Sequence, residues 1–291
     1  MKTKNVLMAI TLVIVTVFTV NTVTSAPGKE ELKVAAKKAA SKGVDSTFLA
    51  SVIASEDASF VKKTVRINVT NYAYTPDYSN HYNAKAVKKV KSFLKEHDSL
   101  LTAVEKKHKV SKEVVASILW IESRCGKITG KYHVPSVYLS LVLADEPEYV
   151  QQSYDKVVSD NKYTKKQKDS VKRLIKKRAA RKSKWAIKEL KALQEIDKRG
   201  IMDVNALNGS WAGAFGYPQF LPSSYNRLAI DGNGDGLIDL YSFEDASHSI
   251  ANYLSKNGWS TSTKKQRKAV HSYNNSDAYV NAVFTLAKKV S

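Results

Sequence analysis

Apolar residues recur every three or four positions along most of this chain, which is the spacing of one face of an α-helix. The pattern predicts helices over residues 29–42, 46–55, 84–109, 111–126, 134–143 and 243–259, and a C-terminal helix after a loop beginning at His271. Residues 64–82 are instead rich in β-branched and aromatic side chains, so we predict an extended segment there. The pattern therefore indicates a mainly α fold with small extended segments.

The stretch 111–126, SKEVVASILWIESRCG, carries the most informative of these patterns. Ser111 is a suitable N-cap and Gly126 a suitable end for a helix. Three apolar residues share one face with Glu122: Val115, Ile118 and Leu119. A carboxyl group on a buried face favours its neutral form, which suits a general acid. A purely structural Glu122, paired with a buried amide or with Arg124, is the alternative that the spacing leaves open.

The first 26 residues have the pattern of an export signal. Lys2 and Lys4 precede an apolar run over residues 6–20, and small residues at 24–26 offer a cleavage site. An uncleaved anchor is the alternative, because the run is nearly long enough to span a bilayer. We therefore predict an exported protein, located in the periplasm or cell envelope, or secreted.

The 291-residue chain is strongly basic, with 47 Lys and Arg against 27 Asp and Glu and a net charge of +20. Such a charge favours polyanionic partners. The run 162–184, within a predicted helical insertion at about 150–200, has Asp169 as its single acid, and we interpret it as a solvated helical hairpin. Attraction to an anionic envelope surface ranks second, and export argues against nucleic acid as a partner.

Histidine and cysteine give no sign of a catalytic site. The six histidines lack the spacing of a zinc site. Cys125 is the single cysteine, so no disulfide can form within one chain. We interpret Cys125 as a packed, apolar thiol, because no paired His and Asp motif surrounds it.

Residues 208–225, NGSWAGAFGYPQFLPSSY, are interrupted repeatedly by glycine and proline. Small residues let the backbone approach a ligand closely. Ser210, Gln219 and Phe220 add hydrogen-bonding groups and an aromatic face. This combination is typical of the wall of a sugar-binding groove, and a tight structural loop fits it equally well.

Residues 231–242 follow the first part of an EF-hand calcium loop. Five residues stand at the ligand positions 1, 3, 5, 7 and 9: Asp231, Asn233, Asp235, Leu237 through its carbonyl, and Asp239. Gly236 stands at position 6, but Ser242 replaces the bidentate Glu of position 12. Because all the candidate ligands are hard oxygens, we predict a structural Ca²⁺ site. A polar turn closed by its own Asx hydrogen bonds is the alternative.

Three blocks of the chain resemble the lytic murein transglycosylases of the membrane-bound B type. They are IESR at 121–124 followed by Gly126, GSWAGAFGYPQFLPSSY at 209–225, and 231–246 continuing to 251–253 and 258–259. A weaker fourth block contains Tyr273, Asn274, Ser276 and Tyr279. The resemblance implies a lysozyme-like catalytic core with extra helices. We predict a signal at 1–26, an N-terminal helical part at 27–110 and this core at 111–291.

The resemblance also implies an activity. Such enzymes cleave the β-1,4 bond between N-acetylmuramic acid and N-acetylglucosamine without water, leaving a 1,6-anhydromuramyl end, and need no cofactor for this chemistry. Glu122 matches their single acid and base. Six residues match groove positions that contact glycan or orient the acid: Ser210, Gln219, Phe220, Tyr253, Tyr273 and Asn274. We expect a monomer acting on peptidoglycan strands. The alternatives are a muramidase-type hydrolase and a non-catalytic peptidoglycan-binding protein.

The chain departs from the family pattern at two places. Cys125 stands where the family often has Trp. The family's arginine pair after the catalytic helix, which meets a peptide or lactyl carboxylate, is matched here by the acidic stretch 145–148. We hypothesise that the basic insertion takes the place of those arginines.

Overall fold

A computed structural model describes residues 28–73 and 76–291, so the predicted export signal lies outside the described residues. Thirteen α-helices run through this part of the chain: α1 (Lys29–Ala40), α2 (Ser46–Ala54), α3 (Lys62–Thr70), α4 (Ala84–Glu96), α5 (Asp98–His108), α6 (Lys112–Ser123), α7 (Val134–Val142), α8 (Pro147–Ser159), α9 (Lys165–Lys198), α10 (Pro222–Leu228), α11 (Phe243–Lys256), α12 (Thr263–Tyr273) and α13 (Asp277–Val290). The mainly α prediction is confirmed. None of the described helices is long and apolar enough to cross a lipid bilayer.

The helices enclose two hydrophobic cores that alternate along the chain. The first core is built from α1–α3 and α7–α10, and the second from α4–α6 and α11–α13. Tyr253 of α11 and Tyr273 of α12 pack against both cores. The surface where the two cores meet is therefore lined by aromatic side chains.

Helices on both sides of the predicted boundary at residue 110 contribute to the second core. Val104 and Val110 are fully buried in the same core as Val115 of α6. The division into parts at 27–110 and 111–291 stays a prediction. The segment after His271 is not a loop, because α12 extends to Tyr273 and leaves a connection of three residues before α13.

The prediction of an extended segment at 64–82 is wrong. Residues 62–70 form α3, and short 3₁₀ turns follow at Asn71–Ala73 and Ser79–His81. Thr64, Val65, Asn68 and Val69 are buried against α7, α8 and α9. Their spacing fits one helical face, so burial of that face outweighs the β propensity of the side chains.

The basic run 162–184 is not a hairpin by itself, because most of it forms the first part of the 34-residue helix α9. The hairpin is made by α8 and α9, and its turn lies before Thr164, whose side chain caps α9. Ile175, Ala179 and Ser183 form a buried stripe along α9. A stripe with this four-residue spacing, uninterrupted by Gly or Pro, keeps the helix continuous.

A small antiparallel pairing holds the loop 208–221 in place. Strand β1 (Tyr132–His133) pairs with strand β2 (Asn208–Gly209), and single bridges join Gly209 to Phe215 and Phe215 to Phe220. Gly130, just before β1, has φ +97°, and a Cβ added there would lie 2.1 Å from the carbonyl of Gly209. The strand pairing therefore requires glycine at position 130.

We predict that Gly130→Ala destabilises the protein by about 2 kcal/mol more than Gly200→Ala does. Gly200 also has a positive φ, of +64°, but nothing lies within 4 Å of its added Cβ. Gly200→Ala therefore measures the backbone cost alone, about 1 kcal/mol. Urea unfolding of the two variants gives the comparison, and equal losses would contradict the close approach of the strands.

Candidate functional site

Glu122 lies at the C-terminal end of α6, one residue before the helix ends. The side chain of Ser111 accepts a hydrogen bond from the Val114 amide at 3.3 Å, so the predicted N-cap is confirmed. The apolar residues on the face of Glu122 are all fully buried: Val115, Ile118 and Leu119. The helix therefore carries its carboxyl group from the second core toward the surface between the two cores.

The sequence pattern predicted that the helix ends at Gly126, but it ends at Ser123. Arg124 and Cys125 already adopt left-handed conformations, with φ of 56° and 54°, before Gly126 at 81°. The Cys125 amide donates to the carbonyl of Leu119 at 3.0 Å, which closes the last turn of the helix. Left-handed backbone at two residues that carry a Cβ is strained. Such strain often marks a functional turn.

Tyr279 is the side chain that holds Glu122. Its hydroxyl donates to Oε1 of Glu122 at 2.6 Å, and Tyr279 itself is 1% exposed. Ser276 caps α13 and so fixes the helix that presents Tyr279. Arg124 does not pair with Glu122; its guanidinium stacks on the Trp120 ring at 4.7 Å.

Burial raises the pKa of Glu122 from 4.5 to about 7. The hydrogen bond from Tyr279 favours the carboxylate and partly opposes this rise. Burial, reinforced by the nearby Glu122 charge, raises the pKa of the Tyr273 and Tyr279 hydroxyls. The carboxyl group can therefore donate or accept a proton near neutral pH, while the tyrosines around it stay protonated.

An aromatic cluster extends from Glu122 across the junction of the cores. Tyr279 stacks on Tyr273 with 6.5 Å between ring centroids, and Tyr78 meets Tyr279 edge-on at 5.8 Å. Tyr273 continues to Tyr253 at 4.8 Å and to Phe220 at 5.8 Å. Phe220 is only 2% exposed, so it presents no free face to a sugar and instead supports the tyrosines.

Two polar residues that were predicted to bind substrate, Ser210 and Gln219, shape the loop between β2 and α10. Gln219 has φ 51° and donates through Nε2 to the carbonyls of Thr129 at 3.0 Å and Gly216 at 2.8 Å. Ser210 accepts through Oγ from the amide of Ala214 at 3.2 Å. These bonds fix the loop in place. They fit both alternatives for residues 208–225, the wall of a sugar-binding groove and a tight structural loop.

The remaining predicted residues lie on α11 and at the end of α12. The Tyr273 hydroxyl donates to the carbonyl of Pro218, and the Tyr253 hydroxyl donates to that of Ser272 at 2.6 Å. Asn274 follows α12 in an extended conformation. The structure therefore brings Tyr273 beside Glu122 and ties it to the loop that contains Gln219.

A groove is lined in part by Tyr78, whose ring contacts the Tyr279 ring. Its first section has a volume of about 870 Å³ and includes Asn274 and Ser276. A second section of about 520 Å³ shares Asn71 and Asn275 with the first, so the two adjoin. Of the predicted residues, Asn274 is the one that lines this groove directly.

The far section of the groove is basic because α9 lines it with Arg178, Arg181 and Lys182. Arg178 lies over the Tyr72 ring at 4.4 Å, and Lys182 lies over Trp185 at 4.2 Å. Burial lowers the pKa of Lys182 to about 8. The basic insertion thus delivers positive charge to one end of the groove.

The acidic stretch that follows α7 does not face this charge. Lys38 of α1 forms salt bridges with Asp145 at 2.7 Å and with Glu146 at 2.5 Å. These carboxylates therefore tie α1 to the connection between α7 and α8.

The loop 231–242 is closed by hydrogen bonds to its own carboxylates. Asp231 accepts from the amides of Gly234 at 2.6 Å and Gly236 at 2.9 Å, and these bonds lower the pKa of Asp231. Asp235 accepts from the amide of Leu237 at 2.8 Å. Nδ2 of Asn233 donates to the Asp235 carboxylate at 2.9 Å, and the backbone amide of Asp235 donates to Oδ1 of Asn233 at 3.1 Å, as in an Asx turn.

The oxygen donors of this loop are of the right class for calcium, but they do not converge. Among the described residues, no three His, Cys, Asp or Glu side chains are grouped as a metal site requires. Asp239 accepts from the Tyr241 amide at 2.8 Å, and Ser242 is occupied as the N-cap of α11. The ligand types fit a cation, and binding would require the carboxylates to turn away from the backbone amides.

The contacts of three important residues had no signal in the local sequence pattern. Tyr279 bonds to Glu122 from a distant position in the chain, and Tyr78 packs edge-on against the Tyr279 ring. Asp245 is 1% exposed and accepts from the amides of Gly232 at 2.7 Å and Asp239 at 2.6 Å. The Asp245 carboxylate therefore joins two points of the 231–242 loop to the first turn of α11.

We predict that Glu122→Gln raises the free energy of unfolding above about pH 7, by up to about 3 kcal/mol. A carboxyl whose folded pKa lies above its unfolded pKa stabilises the fold below 4.5, and this contribution is lost as pH rises through 7. Gln stays neutral, so the variant keeps its stability. Denaturant unfolding across pH tests this, with exposed Glu56→Gln as the control; two parallel profiles for Glu122→Gln and wild type would contradict it.

Comparison with known proteins gives a consistent assignment. Residues 28–270 match the transglycosylase SLT domain. A stretch of 53 residues is 55% identical to the membrane-bound lytic murein transglycosylase B of Escherichia coli, covering 18% of this chain but only 15% of that protein.

Solved structures match over much more of the chain. The Escherichia coli lytic transglycosylase Slt35 is similar in complex with bulgecin A (TM-score 0.67, 19% identity, 89% of this chain and 92% of that one) and in complex with calcium (TM-score 0.61, 18% identity, the same coverage). SltB3 of Pseudomonas aeruginosa, in complex with NAG-anhNAM-pentapeptide, is similar with TM-score 0.63, 19% identity and coverage of 90% and 79%. These likenesses confirm the lysozyme-like transglycosylase fold, and the chain belongs to the transglycosylase SLT domain family.

Proposed function

We propose that this protein is a peptidoglycan lytic transglycosylase with Glu122 as its single general acid and base. The observation that carries the proposal is the carboxyl of Glu122, which accepts a hydrogen bond from Tyr279 and whose pKa is raised by burial to about 7. Such a group is protonated often enough to donate and ionised often enough to accept. A module that only binds glycan has no need of a dehydrated acid at this place.

The reaction uses the two protonation states of Glu122 in turn. The carboxyl group protonates the glycosidic oxygen between N-acetylmuramic acid and N-acetylglucosamine as the bond to C1 breaks. The resulting carboxylate then accepts the proton of the muramyl C6 hydroxyl while that oxygen attacks C1, which gives the 1,6-anhydro product. The neighbouring N-acetyl group stabilises the charge on C1. Tyr279 bonds to Oε1, so we assign Oε2 to the proton transfers.

A second carboxylate is the feature that distinguishes most hydrolytic glycosidases from this scheme. They hold two carboxyl groups about 5–9.5 Å apart. The side-chain hydrogen bond that Glu122 makes is to the Tyr279 hydroxyl. We therefore assign both proton transfers to Glu122 and none to a second carboxylate.

We propose peptidoglycan glycan strands as the substrate, based on the groove beside Tyr78. The two sections, about 870 and 520 Å³, have room for several sugar units. The basic section of α9 suits the carboxylates of a peptide stem, and the related SltB3 holds a pentapeptide-bearing fragment. We infer that Arg178 and Lys182 do the work of the family's arginine pair. Export to the envelope and a monomeric state complete the proposal.

We expect purified protein to convert sacculi to muropeptides with 1,6-anhydromuramyl ends. We expect Glu122→Gln to lower the rate by about 10³-fold, which is the middle of the usual range for loss of a general acid. Mass spectrometry identifies the ends. Glu56→Gln is the matched control for loss of one carboxylate, and circular dichroism shows whether Glu122→Gln is folded. Products one water heavier, with reducing ends, would instead identify a hydrolase; a folded and fully active Glu122→Gln would exclude the assigned acid.

We further propose that the 231–242 loop takes up Ca²⁺ through Asp231, Asn233, Asp235, the Leu237 carbonyl and Asp239. Slt35, which shares the fold, has been solved with calcium. Because Ser242 replaces the bidentate Glu, we expect weak binding, with a Kd of about 10⁻⁴–10⁻³ M.

At about 10 mM Ca²⁺, such a site should raise the Tm by several degrees through mass action. Asp235→Asn should abolish the increase, whereas Asp169→Asn on exposed α9 should keep it. An equal increase with Mg²⁺, or in Asp235→Asn, would show that the loop is not a calcium site.

A further inference from the structure

A second basic cavity lies on the opposite side of α6 from Glu122. This rear cavity has a volume of about 580 Å³ and is lined by Lys85, Lys88, Lys89, Trp120, Arg124 and Lys127, among others. A pocket of about 250 Å³ adjoins it and shares four of these residues. Trp120 precedes Glu122 by two positions and so faces away from the groove. The rear cavity is therefore separate from the catalytic site.

The charge of the rear cavity is not neutralised by the protein. Five cations line it, against Glu96 as the single acid of that lining. Within the described residues, none of the five cations forms a salt bridge. Clustered unpaired cations repel each other, so an anion bound among them gains free energy from all of them.

Arg124 is the cation held most firmly. Its guanidinium is half-buried on the Trp120 ring and lies 3.5 Å from Nε2 of His81. Burial, and then the charge of Arg124, lower the pKa of His81 to about 4, so His81 is neutral near pH 7. A partly dehydrated guanidinium without a carboxylate is costly unless an anion joins it. The left-handed backbone at Arg124 adds strain at the same residue.

Trp120 adds a feature suited to a sugar. Its indole lines both pockets, and its Nε1 is buried without a hydrogen-bond partner among the described residues. Phe93 and Phe243 complete an apolar side of the cavity. Together these groups suit a ring with an apolar face and an anionic substituent.

We propose that the rear cavity binds a phosphate-bearing sugar, with the phosphate among Lys88, Lys89 and Arg124 and the ring against Trp120. Lysines act as point charges for phosphate, and arginine adds a bidentate fork. The volume suits about one or two sugar units. Because the site lies behind α6, it does not depend on the proposed cleavage reaction. It would attach the enzyme to anionic envelope polymers while leaving the groove free.

Calorimetric titration with N-acetylglucosamine 6-phosphate tests the proposal. We expect Lys88→Gln/Lys89→Gln to bind about tenfold more weakly than wild type, as loss of two charge-assisted contacts implies. Lys91→Gln/Lys95→Gln removes the same charge from exposed positions on α4 outside the cavity and should change binding less than about twofold. Glu122→Gln should bind like wild type, which separates this proposal from that of catalysis.

The comparison ligands decide the remaining points. N-acetylglucosamine and inorganic phosphate should each bind more weakly than the sugar phosphate. The methyl phosphodiester of the same sugar is the third ligand. Tighter binding of the diester than of the monoester indicates a polymer unit as the natural ligand, and weaker binding indicates a free sugar phosphate. Equal weakening in both double variants, inorganic phosphate binding as tightly as the sugar phosphate, or no binding at all would overturn the proposal.

Discussion

The hydrogen bond from Tyr279 to Glu122 joins two helices of the second core at the point where the first core meets it. The carboxyl group is poorly hydrated there, which by itself would destabilise its charged form. The tyrosine hydroxyl supplies one hydrogen bond in place of lost water. The balance between these opposing effects sets a pKa near neutrality. A group with that pKa is the requirement for acid and base chemistry by one residue.

The rest of the fold supports this one contact. Tyr273 stacks on Tyr279 and donates to the Pro218 carbonyl, so the aromatic cluster is tied to the loop 208–221. That loop is in turn fixed by Gln219 and by the pairing of β1 with β2. Because Tyr253 and Tyr273 belong to both cores, a shift of one core against the other would move the surroundings of Glu122.

Individual cations of this basic chain lie in different surroundings. On α9, Arg178 and Lys182 are held against aromatic rings at one end of the groove. Behind α6, Arg124 is held against Trp120 in a separate cavity. Charges that are stacked and partly dehydrated act over short distances on a specific ligand, whereas solvated lysines are screened by salt. The total charge therefore says less about partners than the burial of individual cations.

The sequence alone determined the helices with a clear apolar period, the N-cap at Ser111 and the burial of the face that carries Glu122, because all three depend on neighbours within a few residues. It also identified the loops around Gln219 and Asp231. It could not determine that residues 64–70 form a helix, since their β propensity is outweighed only by burial against α7, α8 and α9. Tertiary structure alone decided that Tyr279, 157 residues away, would hold the acid. It also decided that Phe220 would be buried and that the charge of α9 would meet the groove. These outcomes depend on which distant surfaces exclude water together, and no local pattern contains that information.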